Sequence, residues 1–314
     1  MKKIYILLFI AVNGTAFAQQ ALPFVDSFSY TAGNLHETAP WSTVGTPNAT
    51  DHILLDGSKA TFAGGGTDAQ VVITPQTIGT VYFKIDLKIT SMAGVTDVNG
   101  GYIAGFTQNS STFGGTLWAK RIDDSSYNLG IETRTATGAL ITYTTGAYTT
   151  GTSYSIVISY TFNTGTAADD IAKLWVNPGS GDEATPLLTD THVAADLTQI
   201  ASFFLRQDST TETGSVEIDN LKISTTFANV LSTNKFNAIS GLNMYPNPVK
   251  DGNLYITSNS NNAKTVAFYD ILGKQVLNTK TSYNAVNVSN LKSGAYIVSI
   301  SEDGKTDTRK LIIE

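Results

Sequence analysis

Phe83-Lys84-Ile85-Asp86-Leu87-Lys88-Ile89 alternates apolar and charged residues without a break, and that alternation decides the fold class. Successive side chains of a β-strand point to opposite faces, so this stretch is a strand with one buried and one wet face. Outward from it the same period recurs. Tyr154, Ile156, Ile158, Tyr160 and Phe162 share one face of a second strand, with Ser155, Ser159 and Thr161 on the other. Further strands are expected at Gly101–Gln108, Tyr127–Arg134, Ile171–Asn177, Ser202–Gln207 and Ser215–Ser224. Glycine, threonine, serine and asparagine separate them, and no segment sustains a helical period. The chain therefore reads as all-β, with a jelly-roll sandwich for the first two hundred or so residues. In Val216-Glu217-Ile218-Asp219-Asn220-Leu221-Lys222-Ile223 the phase slips, because Leu221 and Ile223 fall on the parity opposite to Val216 and Ile218. A bulge at Asp219-Asn220 would absorb that slip.

The chain's beginning sets the expected compartment. Lys2 and Lys3 precede an apolar run from Ile4 to Val12, and Ala16-Phe17-Ala18 supplies the small residues a signal peptidase needs. Residues 1–18 are thus read as a signal peptide; the apolar run is too short to span a bilayer, which takes about 20 residues. There is no cysteine, so thiolate metal sites and cysteine nucleophiles are excluded and the domain must hold together by core burial. Without Lys2 and Lys3, 18 basic residues face 26 acidic ones, a charge of −8. No basic patch is left to neutralise phosphates, so nucleic acid is not an expected partner.

Between 225 and 241 the strand pattern lapses, and this stretch is read as a linker between a domain at 19–224 and a module at 242–314. The module is punctuated densely. Tyr245-Pro246-Asn247-Pro248 holds its start extended. Strands follow at Asn253–Thr257 and Val266–Tyr269, then a turn at Asp270-Ile271-Leu272-Gly273-Lys274. Leu291-Lys292-Ser293-Gly294 leads into a strand containing Tyr296, and Lys310-Leu311-Ile312-Ile313-Glu314 closes the chain. These lengths suit a small immunoglobulin-like sandwich. The motifs, in this order and at the chain end, resemble the C-terminal sorting domain of type IX secretion cargo. Tyr245, Pro246, Asn247, Pro248, Gly273, Lys274, Gly294, Tyr296 and Lys310 carry the resemblance. It implies export through the periplasm and an outer-membrane translocon, removal by a sortase-like peptidase, and release or attachment to surface lipopolysaccharide.

The first domain offers little chemistry. It has no Gly-x-Ser-x-Gly elbow, and His36, His52 and His192 lack metal-ligand spacing and read as loop residues. Phe24-Val25-Asp26-Ser27-Phe28 onward, with Trp41, and Val216–Ile223 resemble the opening and closing strands of concanavalin-like, laminin-G-like jelly rolls. The glucanases of that fold want Glu-x-Asp-x-x-Glu; here Glu217-x-Asp219 is followed by Lys222 in place of the last carboxylate. Asp26 and Asp219 would meet if the domain's ends pair, and are the expected calcium ligands, with structural hydrogen bonding as the other reading. For sugar contacts the expectation is Trp118, Tyr127 and Trp175, as rings on a wet face beside Lys120, Arg121, Asn128 and Lys173. The expected function is a secreted or cell-surface, non-catalytic domain that binds polysaccharide or mediates adhesion. A polysaccharide-degrading glycoside hydrolase and a purely structural surface protein are the alternatives.

Overall fold

The computed structural model describes residues 19–47, 50–136, 140–191, 194–232, 239, 241–260, 262–282, 285–302 and 305–314. The signal-peptide reading at 1–18 and His192 lie outside them. The chain forms two compact units, one ending at Ser232 and the other beginning at Thr233, each with its own apolar core.

The first unit is a two-sheet antiparallel sandwich. The nine-stranded sheet runs Leu188–Asp190, Ile171–Val176, Ser153–Phe162, Gly79–Ser91, Ser215–Ser224, Ala60–Phe62, Leu54–Leu55, Gly33–Asn34, and Phe24–Asp26 adds to the strand Ser215–Ser224. The eight-stranded sheet runs Thr142–Tyr143, Ser126–Arg134, Thr112–Asp123, Gly101–Asn109, Ile200–Leu205, Ala69–Gln76, Trp41–Thr43, with Tyr148–Thr149 also against Ser126–Arg134. Chain-distant strands sit side by side in both, as in a jelly roll. Phe83, Ile85, Leu87 and Ile89 all face the shared core, and each stabilises the fold by about 1.5–3 kcal/mol through burial. Ile156, Ile158 and Tyr160 meet them from the neighbouring strand. The register of Ser215–Ser224 against Gly79–Ser91 shifts between Asp219 and Lys222, and Asn220 takes φ +51°. The bulge is where the phase slip puts it, and it lets Val216, Ile218, Leu221 and Ile223 all reach the core.

Part of the expected linker belongs to this unit. Phe227–Leu231 is a short helix whose Phe227 and Val230 pack on Tyr82, Val157 and Trp175, covering part of the nine-stranded sheet's outer face. Lys222 also donates to the Ser232 carbonyl. The slack composition at 225–232 conceals two apolar anchors that only packing reveals.

The second unit is a small sandwich. Asn243–Tyr245, Asn253–Thr257 and Val286–Asn287 form one sheet; Gln275–Thr281, Lys264–Tyr269, Gly294–Glu302 and Lys305–Ile313 form the other. Leu254, Val266, Phe268, Val298, Ile300 and Leu311 fill the space between them. A buried ion pair, Lys264 Nζ to Glu302 Oε1 at 2.8 Å, closes one end, and Ser258 Oγ donates to the same oxygen.

Candidate functional site

The three rings chosen from sequence do not form a platform. Tyr127 points inward with Leu129 and Ile131 into the main core, fully buried. Trp118 does lie on the outer face of the eight-stranded sheet, but Tyr102, Phe113 and Phe204 enclose it, and its indole donates to Thr116 Oγ1 at 2.9 Å. Trp175 lies on the outer face of the other sheet, where the helix Phe227–Leu231 leaves it only 3% exposed. Trp118 and Trp175 both stand on outer faces, and what buries them is an aromatic cluster on one sheet and the helix Phe227–Leu231 on the other.

Trp175 nevertheless borders an open groove of about 570 Å³. Its indole N–H donates to the Asp182 carbonyl at 2.8 Å, which fixes the ring against the loop Pro178–Leu187. Asp182 Oδ2 in turn accepts from Gly179 N at 2.7 Å, and its single 3-10 turn, Asp182–Ala184, holds the loop's shape. Tyr148, Pro178, Pro186 and the half-exposed Leu187 supply apolar lining, with Thr185 and Asp182 as polar groups. Tyr148 is itself wedged between Tyr127 and Tyr154, with ring centres 6.0 and 5.0 Å away.

The carboxylates tell a second story. Strand Phe24–Asp26 pairs with Ser215–Ser224, so Asp26 and the Asp219 bulge come to adjacent strands as expected. Asp26, however, accepts from Phe28 N, Tyr30 Oη and Trp41 Nε1, all at 2.7 Å. It is a structural tie between the first strand and a core tryptophan. Asp219 accepts from the Asn220 amide and side chain. Both carboxylates expected as calcium ligands thus have hydrogen-bond partners within the fold. Among the described residues, the acids that do gather are Asp169, Asp170 and Asp196, whose oxygens accept from backbone amides and from Tyr160. Glu217 is paired with Lys59 at 3.1 Å and Lys88 at 3.3 Å. Burial would raise its pKa, but the two lysines outweigh it and hold the carboxyl below its usual range, the wrong direction for a general acid.

Glu132 has no legible motif and is the more unusual acid. It stands on the outer face of the strand Ser126–Arg134, opposite Thr116, wholly buried, and among the described residues neither carboxylate oxygen has a partner at hydrogen-bond geometry. Burial pushes it up to about 7; the Thr135 hydroxyl pulls it down, Asp190 pushes it further up, and Arg134 pulls it down again. The Thr135 hydroxyl is engaged at 2.9 Å with Thr116 Oγ1. Nearby, Arg206 lies 4.5 Å over the Tyr102 ring and bonds Asp68 and Asp208.

The residues that carry the sorting resemblance are tied into the fold of the second unit. Asn247 accepts from Ile312 N and donates to the Lys310 carbonyl, both at 2.9 Å, clamping the last strand. Tyr296 Oη donates to the Lys292 carbonyl at 2.7 Å. Gly273, at φ +81°, completes a turn in which Asp270 Oδ1 accepts from Leu272 N and Lys274 N. Tyr245 stacks on Tyr255 at the surface, 5.6 Å between ring centres. Residues 243–314 match the family model of the secretion system C-terminal sorting domain. The second unit is a type IX sorting domain. The sorting domain directs the chain to the cell surface or the medium, and no helix among the described residues is long and apolar enough to cross a membrane.

No curated protein sequence matches the chain. Among solved structures, a mutant of alginate lyase Aly36B in complex with alginate tetrasaccharide is similar at 16% identity, covering 66% of this chain and 98% of that one, with a TM-score of 0.44. The marine PL-14 alginate lyase from Aplysia kurodai is similar at 12% identity (59% and 87% covered, TM-score 0.35). The potassium-bound carbohydrate recognition domain of Emp46p is similar at 12% identity (64% and 98%, TM-score 0.32). These similarities bear on no residue or activity of this chain.

Proposed function

We propose that the sorting domain delivers a non-catalytic carbohydrate-binding or adhesive jelly-roll unit, which takes a saccharide in the groove beside Trp175. The observation that carries this is the groove itself. Its volume, about 570 Å³, falls in the range of small-molecule sites, and it joins apolar walls to a few polar groups. Tyr148, Pro186 and Leu187 would pack on a pyranose ring while Asp182 and Thr185 read its hydroxyls. The test is a glycan array of neutral and uronic-acid polysaccharides on the mature full chain, with and without calcium, alongside a Leu187→Asp, Thr185→Ala variant. Binding that this variant loses supports the reading; binding that it retains moves the site elsewhere.

Degradation of polysaccharide is the second reading, with Glu132, a buried carboxyl raised to about 7, as its candidate acid. New sugar chain ends appearing with the wild type and vanishing in Glu132→Gln would establish that reading and overturn the non-catalytic one.

A further inference from the structure

His36 and His52 are distant in sequence and adjacent in the fold. His36 stands on the single turn Leu35–Glu37, which Leu35 pins into the main core. Leu35 N also donates to the Ile53 carbonyl at 2.9 Å, so the turn is held against the segment that carries His52. The His52 amide is fixed in turn by Asp51 Oδ1 at 2.8 Å. The two ring centres are 4.9 Å apart with planes tilted 31°. Each Nδ1 is buried and has no hydrogen-bond partner among the described residues, and the His36 side chain is only 9% exposed. Two orphaned nitrogens on touching rings is a poor arrangement for packing alone, since a buried polar atom without a partner destabilises the fold.

Glu37 Oε1 lies 3.8 Å from His36 Nε2. A carboxylate on that side favours the proton on Nε2 and leaves a lone pair on Nδ1, the same carboxylate–imidazole order that orients histidines toward metals. With nitrogen–zinc bonds of about 2.0–2.1 Å, two imidazoles on one ion hold their ring centres roughly 5 Å apart. We propose that His36 and His52 bind one first-row divalent ion of the zinc or copper class through their Nδ1 atoms, water completing the coordination. Imidazole nitrogen selects that class over calcium or magnesium, which take oxygen ligands.

The experiment is a titration of the chelator-treated mature chain with zinc, followed by calorimetry and by melting temperature, and with copper(II), followed by electron paramagnetic resonance. One equivalent should bind, raise the melting temperature and show nitrogen coupling to copper. His36→Gln and His52→Gln should each lose at least about tenfold in affinity, and Glu37→Gln, which leaves both rings in place, about tenfold. His192→Gln and Asp169→Asn should bind as the wild type does. Absence of saturable binding at micromolar zinc overturns the proposal, as does equal binding by the two histidine variants; circular dichroism confirms that each variant is folded.

Discussion

Replacing Glu132 by glutamine keeps the shape of the side chain and removes its titration. In the folded chain burial raises this carboxyl from 4.5 to about 7, so between those values the native state holds a proton that the unfolded state releases. Stability from this group is therefore complete below pH 4.5 and is lost as pH rises through about 7. The rise corresponds to on the order of 3 kcal/mol. In a domain of this size that is roughly 6–12 °C of melting temperature. The assay is thermal or urea unfolding of wild type and Glu132→Gln at pH 5, 6, 7 and 8, followed by tryptophan fluorescence. Any fixed loss from burying an amide appears at every pH and cancels in the comparison between pH 5 and pH 8. Asp68, raised to about 6 by burial against the pull of Arg206, acts in the same direction but is present in both proteins. The variant should be relatively more stable at pH 8 than at pH 5 by up to the full amount. Parallel profiles for the two proteins would refute the reasoning, because they would mean that Glu132 is ionised or solvated in the native state.

Phe227→Ala should destabilise the first unit by about 3–5 kcal/mol and redden tryptophan emission, since it uncovers Trp175; an unchanged spectrum would show that the helix does not cover that ring. In the sorting domain, Lys264→Met leaves the buried Glu302 carboxylate without its cation and should cost about 3–5 kcal/mol by urea unfolding. Burial alone would raise Glu302, but bonds from Lys264, Ser260 and Ser258 hold it at about 2, so its contribution is full above pH 4.5 and is lost as pH falls toward 2. Deleting Lys310–Glu314 removes the buried Leu311 and Ile313 and the end of the last strand that Asn247 clamps; the protein should accumulate in the periplasm, as fractionation and surface labelling will show.

Strand existence was legible wherever one face is buried and the other wet, because a period of two is imposed by the pleat itself. Phe83–Ile89 and Tyr154–Phe162 are examples, and the bulge at Asp219-Asn220 was readable as a break in that period. The site was less legible. Trp118 and Trp175 were expected on wet faces, but exposure depends on what lies over a face. The coverers are a short helix at 227–231 in a stretch of linker composition and a cluster assembled from several strands. Neither produces a periodic signal.

The all-β class and the bulge were legible along the chain, since alternation and a phase slip are local; the sorting domain was legible as a resemblance carried by motifs in order along one short module. Only the tertiary structure decided which outer-face residues meet solvent. It likewise ties Asp26 to Trp41, buries Glu132 with neither oxygen at hydrogen-bond geometry among the described residues, and brings His36 against His52. Those outcomes depend on contacts between residues far apart in the chain. Desolvation, hydrogen-bond partners and ligand geometry arise from such contacts, and no pattern along a single strand encodes them.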